Sequence, residues 1–289
     1  MTRMMLALVA LALSFEAQAL DKVVYGNDDR LDIFETTNNL HLELATSTAA
    51  MIGSNSINMS GTEATISGSS LQSRGICATA KFAKQVTAAN CSGFLVADDL
   101  LVTAGHCIRS ESDCKSWKWV FDFAVSDASE TGATVKVPSS SVYGCSEIVS
   151  RELNGSNQND FALIRLDRKV TDRAPLRIRT EGRIADKAPL VVIGHPTGLP
   201  TKVSGGANVR TNSNDIYFVA NLDTFGGNSG SAVFDSDTGL VEGILVRGEN
   251  DYSYDRTRGC RVPQQCTDDS CRGEDVTRIT NIKALMDLI

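Results

Sequence analysis

Short runs of β-branched and aromatic residues recur along the chain: "CSGFLVADDLLVTAGHC", "SWKWVFDFAV", "DFALIRL", "PLVVIGHP", "IYFVANLDTF", "SAVFD" and "LVEGILVRG". Each is bounded by Gly, Pro, Asn or Asp, residues that end strands and form tight turns. Such runs at fairly regular spacing predict an all-β barrel or sandwich. Helical spacing is confined to the tail "VTRITNIKALMDLI", where Ile279, Ile282, Leu285 and Met286 share one face and predict a short C-terminal helix. Residues 45–73 are small and polar and read as a surface loop or a pro-like insertion. No internal repeat is visible, and 289 residues suffice for one large β domain or two small ones.

The N-terminus breaks this pattern. Arg3, the apolar run Met4–Leu13 and the small-x-small triplet Ala17-Gln18-Ala19 form a secretory signal, residues 1–19, with cleavage expected after Ala19. The run is too short to span a bilayer, and no later segment is long and apolar enough to do so. The expectation is an exported, soluble protein, periplasmic or extracellular. All eight cysteines follow the signal, which in an exported chain reads as disulfides. Cys260, Cys266 and Cys271 cluster, but without a C-x-x-C pair or a nearby His, which argues against zinc. With 28 Lys and Arg against 35 Asp and Glu, the net charge is −7 and no basic run exists. That gives no electrostatic basis for binding nucleic acid or an anionic membrane. No metal or organic cofactor is expected.

Three motifs carry chemistry. "TAGHC" supplies His106, "NDFALIRL" places Asp160 at a strand start, and "TFGGNSGSAVF" places Ser229 in a glycine-rich turn. Taken singly, each has an ordinary reading as a core histidine, a turn aspartate and a hairpin serine. Together, in the order His, Asp, Ser, they supply what a serine nucleophile needs: a base for its proton and a carboxylate to orient the base. An α/β-hydrolase would require G-x-S-x-G and the order Ser, Asp, His; Ser231 stands where the second glycine would be.

"LVTAGHC", "DFALI" and "GGNSGS" resemble the His, Asp and Ser motifs of trypsin-like serine peptidases. The resemblance implies an all-β fold of two antiparallel six-stranded β-barrels with the active site between them. It implies a monomer whose partners are protein or peptide substrates. His106 would then be the general base, Asp160 its orienting carboxylate and Ser229 the nucleophile, with the amides of Gly227 and Ser229 forming the oxyanion hole. A Cys91–Cys107 disulfide bracketing His106 is implied as well; the other six cysteines allow fifteen pairings. A protease-shaped binding module without activity is the rival reading, against which the complete set of three residues speaks.

Val23–Thr37, "VVYGNDDRLDIFETT", is similar to the mature start of bacterial glutamyl endopeptidases. The resemblance implies a short propeptide, residues 20–22, cleavage of a zymogen after Lys22, and a peptidase domain over 23–289. Asn228 stands where trypsin has the Asp that captures the new N-terminus, so a freed Val23 amine is expected near the substrate pocket instead. Asp223, six residues before Ser229, matches the acidic base of the trypsin pocket and implies a preference for Lys or Arg. Thr224 matches a pocket hydroxyl of the glutamyl endopeptidases. Arg247, on the expected pocket wall, would either neutralise Asp223 or, facing the pocket, favour an acidic side chain.

Overall fold

The computed structural model describes residues 23–129 and 132–289. The expected signal of residues 1–19 and propeptide 20–22 lie outside the described residues. Twelve strands build the two halves of the molecule. The first half contains β1 (Thr48–Gly53), β2 (Ala89–Ala97), β3 (Leu100–Thr103), β4 (Trp117–Val120), β5 (Val142–Leu153) and β6 (Asp160–Leu166). The second contains β7 (Pro189–Gly194), β8 (Lys202–Thr211), β9 (Tyr217–Ala220), β10 (Ala232–Asp235), β11 (Val241–Arg247) and β12 (Glu274–Arg278).

Each half closes into an antiparallel barrel. Strands pair in the order β1-β2-β3-β6-β5-β4 and return to β1 in the first, and β7-β8-β9-β12-β11-β10 and return to β7 in the second. The order is the same in both. A repeat that the sequence conceals is therefore plain in the topology, because hydrogen-bonded pairing constrains the side chains only through their alternation. Closure leaves neither barrel with an open edge.

The barrel interiors are filled by side chains. Trp119 from β4 lies across the first barrel, and Gly93 on β2 makes room for it: a Cβ there would stand 2.7 Å from the Trp119 ring and 2.7 Å from Leu101. Val192, Val209, Phe218, Leu245 and Val276 fill the second. Val191, Ile193, Phe234 and Ile244 point the other way and join Phe94, Leu101 and Trp119 in the largest apolar cluster. That cluster glues the barrels along a common seam, each fully buried side chain of this size contributing about 1.5–3 kcal/mol.

Residues 45–73 are not a surface loop. Thr48–Gly53 is a barrel strand, and Ile57–Ser60 and Glu63–Ser67 form a three-stranded sheet with Thr134–Pro138. Its buried face is carried by Ala64, Ile66, Val135 and Val137, which pack on Ala50, Ile52 and Val120. The small residues that made this stretch look unstructured are what allow the sheet to approach the barrel wall. Helices Asn39–Thr46 and Glu111–Ser116 went unanticipated, although Asn38 and Ser110 cap them with side-chain oxygens. The tail forms a 3-10 turn, Ile279–Asn281, and one turn of helix, Lys283–Met286, with Ile279, Ile282 and Leu285 fully buried. No helix among the described residues is long and apolar enough to cross a membrane.

Four disulfides join Cys77–Cys260, Cys91–Cys107, Cys114–Cys145 and Cys266–Cys271. The Cys91–Cys107 expectation is met. Cys77–Cys260 closes 183 residues of sequence and ties the hairpin Tyr252–Asp255 and Cys260–Pro263 to the loop that precedes β2. Replacing both Cys77 and Cys260 with Ser should lower unfolding free energy by about 2–5 kcal/mol, since the crosslink restricts the unfolded chain. Urea titrations of the two proteins, compared at equal ionic strength, check this.

Candidate active site

The last residues of β3 lead into a turn that must pass close beneath the start of β6. At Gly105 a Cβ would stand 2.1 Å from the Glu152 carbonyl oxygen and 2.7 Å from that of Phe161, so only glycine fits. The turn sets His106 against Asp160, the first residue of β6. His106 Nδ1 lies 2.7 Å from Asp160 Oδ2, and the His106 main-chain N–H donates to Oδ1 at 3.1 Å. Both carboxylate oxygens thus hold the same residue. Asp160 is buried, whereas the His106 side chain is 29 % exposed.

The opposite wall comes from the glycine-rich turn between β9 and β10. Ser229 accepts a main-chain bond from Ser92 of β2 at 2.8 Å, and its carbonyl lies 3.7 Å from Cys107 Sγ, next to His106. Gly230 has φ +88°, and a Cβ would meet the Ser92 carbonyl oxygen at 2.1 Å. Gly227 has φ +95°, in the left-handed region where other residues are strained. Among the described residues, none holds the Ser229 hydroxyl, His106 Nε2, or the amides of Gly227 and Ser229. The two sulfurs nearest His106 are joined in the Cys91–Cys107 bond and offer no thiolate to a metal.

The residues assigned to specificity have other occupations. Asp223 does not face a pocket: it is 4 % exposed, and its two oxygens accept from the amides of Tyr25 (2.6 Å) and Asp29 (2.8 Å). Burial pushes its carboxyl up to about 7, against the pull of those amides. Arg247 does not reach it. Its guanidinium pairs with buried Asp275 at 3.0 Å and donates to the Gln158 carbonyl. The Thr224 hydroxyl donates to buried Glu274 at 2.7 Å, while its amide donates to the Val23 carbonyl at 3.1 Å. Val23 is fully buried there, beside Thr224.

Several residues around the site escaped notice in the sequence. Glu274 packs directly on Gly248, where a Cβ would meet its carboxylate at 2.0 Å. Arg30 lays its guanidinium 4.1 Å from the Phe225 ring centroid, and the Tyr252 ring centroid lies 5.1 Å from that of Phe225. His195 is completely buried, with Nδ1 3.1 Å from the Leu199 carbonyl oxygen, and burial holds its pKa down at about 3. The "GHPTG" turn was the visible signal, yet nothing local indicates that it lies beneath the Ser229 turn.

Comparison with known proteins fits this geometry. Residues 91–244, more than half of the chain, match the family described as trypsin-like peptidase domain. No curated protein sequence matches the chain. Among solved structures, a Glu endopeptidase in complex with MPD is 16 % identical, with TM-score 0.52 over 92 % of this chain and 99 % of that one. VesB protease of Vibrio cholerae is 14 % identical, with TM-score 0.51 over 91 % of this chain and 66 % of that one. These likenesses concern the fold.

Two measurements follow from the buried polar groups. Asp223→Asn replaces an oxygen that accepts an amide with an NH2 group that cannot, and should cost about 1–3 kcal/mol of stability by urea unfolding. His195 stays neutral in the folded state while it protonates near pH 6.5 when unfolded, so its contribution is present above that pH and is lost as pH falls toward 3. By pH 4.5 the loss should reach about 2–3 kcal/mol. A His195→Gln protein, whatever its stability at pH 7, should show a correspondingly shallower decline.

Proposed function

The chain belongs to the trypsin-like peptidase domain family, and on that premise we propose that it is an exported serine endopeptidase that cleaves peptide bonds through an acyl-enzyme on Ser229. The observation that carries this reading is the 2.7 Å bond between His106 Nδ1 and the buried Asp160 carboxylate, with Ser229 set beside the same turn. Asp160 fixes the proton on Nδ1 and leaves Nε2 as the base. His106 takes the Ser229 proton as its oxygen attacks the substrate carbonyl. It then gives that proton to the departing amine, which breaks the C–N bond. Water, deprotonated by His106, releases the acid product. Hydrogen bonds between nucleophile and base are commonly long before substrate binds, and the open state of both atoms agrees with that.

Charge that develops on the carbonyl oxygen would be met by the amides of Gly227 and Ser229. Both N–H groups are uncommitted within the described residues, as such a site requires. Four disulfides support an oxidising compartment, periplasmic or extracellular. A mature terminus at Val23 is supported by the depth at which Val23, Val24 and Tyr25 are packed, with Val24 and Tyr25 paired to Gln265 and Cys266. The Lys or Arg preference drawn from Asp223 loses its basis, because that carboxylate is spent on the N-terminal segment. The acidic preference drawn from Arg247 loses it too, because the guanidinium is taken up by Asp275 and Gln158.

Ser229→Ala should abolish turnover while leaving the unfolding transition of the wild type intact, and Asp160→Asn should lower kcat by about 10⁴-fold through the wrong imidazole tautomer. A peptide library digested by wild type and Ser229→Ala in parallel reads both activity and cleavage preference. Cleavage that persists in Ser229→Ala would remove Ser229 from the mechanism.

A further inference from the structure

We infer that Ser92 is a positioning residue for the oxyanion site, and that it acts by locking the peptide groups on either side of Gly227, with Tyr252 sharing the task through Thr197. The inference rests on the peptidase reading above and concerns residues that this reading does not use.

Three bonds define the lock. The Ser92 hydroxyl accepts from the His195 amide at 3.0 Å and donates to the Gly227 carbonyl at 2.9 Å. The Thr197 amide donates to the Gly226 carbonyl at 2.5 Å. A trans peptide is planar, with its C=O and N–H pointing in opposite directions. Holding the Gly226 oxygen against the 195–198 turn therefore aims the Gly227 N–H away from that turn. Holding the Gly227 oxygen on Ser92 prevents the next peptide from rotating to compensate. Gly227 is also pressed onto the turn, where a Cβ would stand 2.5 Å from the His195 carbonyl oxygen. The Gly226 amide is tied down as well, by Asp251 Oδ2 at 2.9 Å.

The turn that does the holding is itself strained and braced. Thr197 has φ +53° and ψ +22°, a left-handed conformation that a β-branched residue adopts only under compulsion. Its hydroxyl lies 2.7 Å from the Tyr252 hydroxyl, and its carbonyl accepts from Arg74 at 3.3 Å. Tyr252 comes from the hairpin anchored by the Cys77–Cys260 disulfide. Ser92 is fully buried on β2, adjacent to Cys91 of the bond that brackets His106. One side chain thus links the first barrel to the backbone that must receive the oxyanion. A residue with no more than a packing role would not need a hydroxyl that accepts from one turn and donates to another.

The test uses p-nitrophenyl acetate, whose hydrolysis needs no knowledge of the natural substrate, and phenylboronic acid, whose adduct with a serine oxygen is tetrahedral. Ser92→Ala and Tyr252→Phe each delete one hydroxyl. For each, kcat should fall about tenfold, a partial loss of one oxyanion donor. KM should stay within about twofold, and the phenylboronic acid Ki should rise in proportion to the fall in kcat. A loss confined to KM, or kcat unchanged in both variants, overturns the inference while leaving the peptidase reading in place. If Ser92→Ala does not fold, Tyr252→Phe decides. Absence of Ser229-dependent ester turnover in the wild type overturns the peptidase reading, and this inference with it.

Discussion

The constraint on which the rest of the structure depends is the backbone contact between β2 and the Ser229 turn. Ser92 donates its amide to the Ser229 carbonyl at 2.8 Å, and the Ser92 carbonyl oxygen lies so near Gly230 that a Cβ there would stand 2.1 Å away. No side chain fits between the two barrels at this point. The glycines of "GGNSGS" are thereby explained by close approach as much as by turn geometry. Because β2 also carries Cys91, whose partner Cys107 follows His106, the same contact sets the distance between His106 and Ser229. The apolar cluster along the seam supplies the energy, while this contact supplies the register.

A second dependence runs through the N-terminal segment. Arg30–Asp32 adds a strand beside β8, and Asp32 pairs with Lys202 at 2.6 Å, both side chains almost wholly buried. Burial pulls the Lys202 ammonium down to about 8 even with its partner in place. Buried pairs of this kind give little net stability but make a mismatched register expensive. Together with Asp223, which grips the amides of Tyr25 and Asp29, they fix where the N-terminal segment lies against the loop leading to Ser229. The position before Ser229 is Asn228 rather than an acid, and the Asn228 side chain meets the Ser231 hydroxyl at 3.2 Å instead of a terminus.

How much of this was legible in the sequence follows from the range of each interaction. His106, Asp160 and Ser229 were visible because each sits in a short motif whose local geometry is demanding: Gly105 beneath β6, Asp160 at a strand start, glycines around Ser229. The second barrel strands were visible from continuous β-branched runs. Residues 45–73 were misread because Ala49, Ala50 and Ala64 bury fully without looking apolar enough to announce a strand. Asp223 was misread for a different reason. Its distance from Ser229 along the chain was right, but the partners that spend its carboxylate, Tyr25 and Asp29, lie almost two hundred residues away, at separations of 198 and 194. Ser92 and Tyr252 were invisible for the same reason, since a lone serine or tyrosine carries no local pattern.

The polarity buried around the Ser229 turn makes physical sense only if fixed orientation is worth more than stability there. His195 is neutral at depth, its Nε2 has no protein partner among the described residues, and Thr197 holds a strained backbone. An apolar, unstrained turn would fold more tightly and would leave the Gly226–Gly227 peptide able to rotate. In the proposed mechanism such a rotation would withdraw a donor at the moment charge appears on the substrate oxygen. Preorganised dipoles are effective because they need not turn when the charge forms. The hairpin bearing Tyr252, held by a disulfide to a distant loop, extends that rigidity beyond the barrels. The strain at Thr197 is thus sustained by hydrogen bonds with Tyr252, Arg74 and the Gly226 carbonyl.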